Sequence, residues 1–275
     1  METTEYGPII DFHAHIYPEK IATRASRAIG EFYNADILYD GTVAELLESG
    51  SRAGVVHYIV HSTATKSEQV VSINDFIIGE VGKERRFTGF GTIHPDFTDA
   101  AGEAERIRAA GLRGVKLHPD FQKFEADCPA MDPVYEILAD ADLPVLIHAG
   151  DCRFDFSGPR RIAHVLDKHP RLRLIAAHFG GYTEWNEAFD LLAGRELMFD
   201  TSSTFWKLPR EAALAMIRKH GTGRFLFGSD FPMWDHREEL GRFLSLGLSP
   251  EENRAILREN ALAYLGLSLA DLIQE

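Results

Sequence analysis

Asp11-Phe12-His13-Ala14-His15 closes a short apolar run, Pro8-Ile9-Ile10, near the start of the chain. In an extended strand alternate side chains share a face, so His13 and His15 are expected to point one way and Phe12 and Ala14 the other. Two imidazoles side by side at a strand end can grip one metal ion, and the remaining ligands must then come from elsewhere. An isolated His-x-His is as easily two polar residues in a surface loop. What decides between these readings, and with them the fold, is what recurs along the chain.

Working outward, apolar runs alternate with helical patterns to the C-terminus. The runs predict strands over residues 8–12, 55–60, 87–93, 112–117, 144–147, 172–177, 197–201 and 225–228. Between them lie helical patterns, one starting at Thr42, where Thr42-x-x-Glu45 has the capping-box form. Others cover 67–82, 100–110, 132–141, 158–169, 183–193 and 209–220, and two closing helices cover 235–246 and 250–265. Residues 16–39 read as irregular, with one helix-like piece near 19–32. Helix-separated strands need parallel pairing and right-handed crossovers. Eight such β-then-α units predict an α/β fold, a (β/α)8 TIM barrel forming one domain over residues 1–275. The alternative is an open doubly wound sheet. It is disfavoured because no Gly-rich phosphate loop follows the first strand.

Composition narrows the function. The 275 residues are 45% hydrophobic and 26% charged, which suits a large buried core. A formal charge of −13 argues against nucleic acid or an anionic membrane as partner. A small-molecule substrate fits better, and it can be anionic where a local cation overrides the global balance. Cys128 and Cys152 are not a closely spaced pair, so neither a disulfide framework nor a zinc knuckle is expected. Residues 1–7 are polar and acidic, unlike a signal peptide, and no apolar run approaches the roughly 18 residues that span a bilayer. A cytoplasmic location is expected.

Polar groups stand at the C-terminal end of every predicted strand: His13 and His15, His61, His94, His118, His148, His178, Asp200 and Asp230. Barrel enzymes carry their active sites at that end. Parity places His148 with Leu146, His178 with Ala176 and Leu174, Asp230 with Leu226, and Lys116 with His118, all able to face the mouth. His61, before a polar turn, and His94, before Pro95, are ranked lower, as residues suited to capping a loop. His57, His164, His169, His220 and His236 are read as structural or exposed. Asp200 has an alternative in bonding to Thr201, Ser202 or Ser203.

These pieces resemble the amidohydrolase superfamily, in the amidohydrolase-related branch that includes aminocarboxymuconate semialdehyde decarboxylase. The matching stretches are DFHAH (11–15), GVKLHP (114–119), PVLIHAG (144–150), LIAAHFGG (174–181), LFGSDFP (226–232) and ENALAYLGL (259–267). The resemblance implies metal ligands at His13, His15, His148 and Asp230, with His178 as acid/base and Asp230 also contacting bound water. Zn²⁺ suits such a set, with Mn²⁺ or Fe²⁺ as alternatives. Lys116 is ambiguous: a carbamylated bridge between two metals, a cation for substrate, or an internal ion pair. The expectation is one metal, with Lys116 or His118 facing substrate. Tyr182, Trp185, Phe205, Trp206, Phe231 and Trp234 are candidates for an apolar pocket or for loop packing. Arg153, Arg160 and Arg161 are candidates for anion or surface pairing. The first functional reading is a hydrolase of a small carbonyl, amide, lactone or ester compound, using metal-activated water. The second is a non-oxidative decarboxylase of a small aromatic or unsaturated acid. The third is a non-catalytic metal-binding barrel. A homodimer is expected.

Overall fold

The computed structural model describes residues 6–272. The polar opening at residues 1–5, on which the signal-peptide reading mostly falls, lies outside them.

Among the described residues, nine parallel strand segments form the centre: β1 (Ile9–His15), β2 (Val55–His61), β3 (Phe87–Gly89), β4 (Gly91–Thr92), β5 (Val115–Leu117), β6 (Val145–Ile147), β7 (Leu174–Ala176), β8 (Met198–Asp200) and β9 (Phe225–Leu226). They pair in sequence order as β1-β2-β3 and as β4 through β9. β3 and β4 are two halves of one strand, parted only by Phe90. The Phe90 N–H still donates to the Val60 carbonyl at 2.9 Å, while the Gly91 N–H donates to Gly114 at 2.9 Å. The other seam closes as well. Phe12 N–H donates to Phe227 O at 2.7 Å, Asp230 N–H to His13 O at 2.9 Å, and His15 N–H to Phe231 O at 2.8 Å. The sheet therefore wraps into the predicted eight-strand barrel.

Parallel strands buried on both faces read as continuous apolar runs, and the packing follows. Ile10, Phe12, Ile59, Phe90, Leu146, Ile175, Met198 and Leu226, from strands right round the ring, meet in one cluster. They can do so only inside the barrel. Ala261, Leu265 and Tyr264 from the C-terminal helices plug its lower end, with Tyr264 edge-on to Phe12 at 6.2 Å.

Two parity expectations are corrected here. Phe12 faces the interior, not the outside with Ala14. The β1–β2 register slips between Asp11 and Ala14, where β1 advances three residues while β2 advances two. That bulge resets the alternation, so Phe12 and the histidines above it all turn inward. Leu174 and Ala176 pack outside the barrel, yet His178 reaches the mouth. It does so because β7 ends before it and its backbone turns to φ 59°.

The helix Val43–Ala53 carries the full capping box expected at Thr42 and Glu45. The helix Ala22–Tyr33 lies over the barrel mouth, with Tyr33 reaching His118. A short helix, Pro119–Gln122, was not anticipated. Pro119 opens it and the His118 side chain caps it. Among the described residues no helix is long and apolar enough to cross a membrane.

Candidate active site

The strand ends bring the predicted residues to one small cavity of about 30 Å³, lined by His13, His15, Lys116, His118, His148, His178 and Asp230, with Tyr33 over it. His13 Nε2 lies 3.2 Å from His15 Nε2. Asp230 Oδ1 lies 3.3 Å from His13 Nε2 and 3.5 Å from His15 Nε2. Ligands at about 2.0–2.1 Å from a tetrahedral ion are about 3.3–3.4 Å apart. The three atoms are thus spaced as donors around one tetrahedral ion would be, and the donor types fit a divalent ion.

The surroundings prepare these donors. Asp200 is buried, and its Oδ2 accepts the His13 Nδ1–H at 2.7 Å. That hydrogen bond leaves the His13 Nε2 lone pair facing the other donors. Asp200 Oδ1 accepts the backbone N–H of His178 and of Ser202, each at 3.0 Å. Asp200 therefore both orients His13 and shapes its own loop, joining the two roles weighed for it. Burial alone would raise its carboxyl, but His13 and the hydrogen bonds hold it well below the usual range. Asp230 is likewise pushed up by burial, and His13, His15 and His178 more than reverse that. Its φ of 59° is strained backbone of the kind that clusters at functional sites. Burial lowers His15 and His178 to about 4, so both are neutral at pH 7 and keep lone pairs.

His148 is in the cavity, but its ring is engaged on both edges: Nδ1 pairs with His178 Nε2 at 3.0 Å and Nε2 with the Gly150 carbonyl at 2.8 Å. It stacks on His118, whose Nε2 meets the Tyr33 hydroxyl at 3.1 Å. Lys116 is fully buried with its Nζ 3.2 Å from His13 Nε2, and burial lowers it to about 8. It faces the cavity instead of tethering the barrel through an ion pair.

Residues ranked low or omitted at the sequence level also matter. His61 is fully buried against His13 and His15, whereas His94 caps its loop by accepting the Asp96 N–H. Asp11 holds Ser229 and His236 behind the site. A cleft of about 630 Å³ adjoins the cavity and shares His15, Ile29 and Phe121 with it. Its walls are Ile21, Phe32, Ile73 and Phe76, with Lys20, Arg24 and Lys123 at the rim. None of the six aromatics predicted for such a pocket lines it. Tyr182 instead packs beside His178, and Trp185 donates to the His178 carbonyl. Arg153 pairs with Asp151 and lies over Phe32 and Tyr33, while Arg160 and Arg161 pair with nearby carboxylates.

Comparison with known proteins places this geometry. The model of the amidohydrolase family matches residues 10–267. No curated protein matches the sequence. Among solved structures, 5-carboxyvanillate decarboxylase LigW from Sphingomonas paucimobilis superposes with a TM-score of 0.75 at 16% identity, over 95% of this chain and 99% of that one. A dihydroxybenzoic acid decarboxylase from a Polaromonas species, with manganese and 2-nitroresorcinol bound, gives 0.73 at 18% identity over 97% and 99%. The 2,6-dihydroxybenzoate decarboxylase from Rhizobium gives 0.71 at 17% over 94% and 98%. Barrels named for 2-pyrone-4,6-dicarboxylic acid hydrolysis match at 0.68 and 0.65.

The hydrolase expectation is corrected by these neighbours, in which decarboxylases predominate.

Proposed function

The chain belongs to the amidohydrolase family, and from that premise we propose that it is a metal-dependent, non-oxidative decarboxylase of a small aromatic or unsaturated carboxylic acid. One observation carries the reading: the His13–His15–Asp230 donor triangle adjoins an apolar cleft rimmed by cations. Apolar walls select a hydrocarbon or aromatic body, and Lys20, Arg24 and Lys123 favour an acid over a neutral compound despite the net charge of −13.

His13, His15 and Asp230 would hold the ion, Zn²⁺ or Mn²⁺, with His148 lining the same space. When bound, the ion supplies an electrophilic anchor for a substrate oxygen. The remaining work falls to side chains. Lys116 Nζ, buried beside His13, orients the carboxylate. His178 Nδ1 is held by the Ser202 carbonyl at 3.0 Å, which fixes the ring with Nε2 at the cavity wall, 3.0 Å from His148 Nδ1, with which it shares its proton. An anionic substrate next to this neutral imidazole raises its proton affinity, so a proton enters with the acid. The carbon–carboxyl bond then breaks, its electron pair stays on the substrate carbon, and His178 Nε2 returns the proton there as CO₂ departs. Tyr33, Ile29 and Phe121 exclude water from that carbon.

The test is incubation with hydroxylated benzoic and unsaturated acids in D₂O. The expected result is one CO₂ and one carbon-bound deuterium per acid consumed. Turnover that adds water to the substrate and releases no CO₂ would overturn the proposal.

A further inference from the structure

His61 ends β2 directly opposite His15 in the β1–β2 register. Neighbouring residues on paired strands project to the same side, so the register delivers a third imidazole to the side already occupied by His13 and His15. The ring centroid of His61 lies 4.9 Å from that of His13 and 4.4 Å from that of His15. One nitrogen from each of the three rings falls within a 4.8 Å group, all buried.

The hydrogen bonding of His61 sets it apart. Of the twelve histidines, its ring alone makes no hydrogen bond among the described residues: both Nδ1 and Nε2 are buried without a partner, and only its backbone carbonyl accepts, from the Ile16 N–H at 3.1 Å. Even His57, with one orphan nitrogen, places the other on Thr88 at 2.8 Å. A buried polar group with no partner is costly and calls for a missing one. Here the orphan nitrogens sit beside the donor triangle.

We propose that His61 is an additional imidazole ligand of the divalent ion held by His13, His15 and Asp230, an assignment that rests on the metal reading above. A purely structural His61 would be dispensable to metal binding. A ligand would not be.

The experiment uses metal-free full-length protein titrated with Zn²⁺, with thermal unfolding and chelator competition as readouts. Wild-type protein gains Tm on Zn²⁺ addition by mass action. His61→Phe removes both unpaired nitrogens, so the metal-free variant is expected to match or exceed wild-type Tm. Its Zn²⁺ affinity is expected to fall by about 100-fold or more, beyond what loss of an outer partner causes. The visible absorption of the Co²⁺-loaded protein is expected to change as well. If the phenyl ring is not accommodated, His61→Gln gives the same readouts. Wild-type Kd and an unchanged Co²⁺ spectrum in a folded variant would overturn the assignment. Wild-type protein that binds no Zn²⁺ would sink the metal reading itself, and the role of His61 with it.

Discussion

Asp200→Asn tests how the site is held in readiness. Asp200 Oδ1 accepts three hydrogen bonds, from the N–H of His178 and of Ser202 at 3.0 Å each and from Ser202 Oγ at 2.5 Å. An asparagine keeps those donors satisfied only with its oxygen on that side. Its NH₂ then faces His13 Nδ1, where a carboxylate oxygen had accepted a proton at 2.7 Å. Two donors cannot pair, so His13 must move its proton to Nε2. That nitrogen lies 3.3 Å from Asp230 Oδ1 and is one of the three donors. The substitution therefore withdraws a lone pair from the ion without touching a ligand. Loss of such an orienting partner costs about 10–100-fold in metal affinity, or about 1.4–2.7 kcal/mol. Competition with a chromophoric chelator measures it, with circular dichroism as the check on folding. A folded Asp200→Asn protein whose Kd stays within about twofold of wild type would refute the reasoning.

Two further outcomes follow from burial. His57 and His220 lie away from the mouth, and burial lowers both to about 4. Between pH 6.5 and 4 the unfolded chain takes up a proton at each that the fold refuses, so their contribution is intact above 6.5 and is lost as pH falls through that window. It amounts to about 3 kcal/mol per residue at most. Glu239 and Asp120, raised by burial to about 7 and about 6, act in the opposite direction. Urea unfolding from pH 7.5 to 4.5 should therefore show a slope that is smaller by up to one proton in His57→Gln, and an unaltered slope would contradict this. Gly50→Ala should destabilise by about 1–3 kcal/mol, because a Cβ there would overlap the hydroxyl of fully buried Tyr58. An unchanged urea midpoint would refute that packing.

The fold is legible because the barrel strands are buried on both faces. Runs such as Val145–Ile147 and Leu174–Ala176 are apolar without alternation, and each is followed by a helical pattern. Most of the site is legible for a related reason: chemistry in this architecture gathers at one end of the strands. Strand parity failed where the backbone departs from simple alternation. The bulge between Asp11 and Ala14 turned Phe12 inward, and the positive φ at His178 re-aimed a side chain that alternation would have sent outward. Neither departure leaves a local sequence mark, since no glycine stands at either place. His61 was ranked low because its place beside His13 and His15 comes from pairing across to His15, a contact between residues 46 positions apart in sequence. The cleft beside the site was not legible because, although a helix near 19–32 was expected, nothing in the sequence says that it folds over the barrel mouth as the wall Ala22–Tyr33.

The central claim is that one divalent ion at the His13–His15–Asp230 triangle supports decarboxylation. Its most direct test is to strip the protein of metal, restore Zn²⁺ or Mn²⁺ in fractions of an equivalent, and follow CO₂ release from an accepted acid. The account predicts no CO₂ without metal, then a linear rise that levels off at about one ion per chain, set by the single donor triangle. CO₂ release at full rate from the stripped protein, or a rise that continues to two ions per chain, would contradict it.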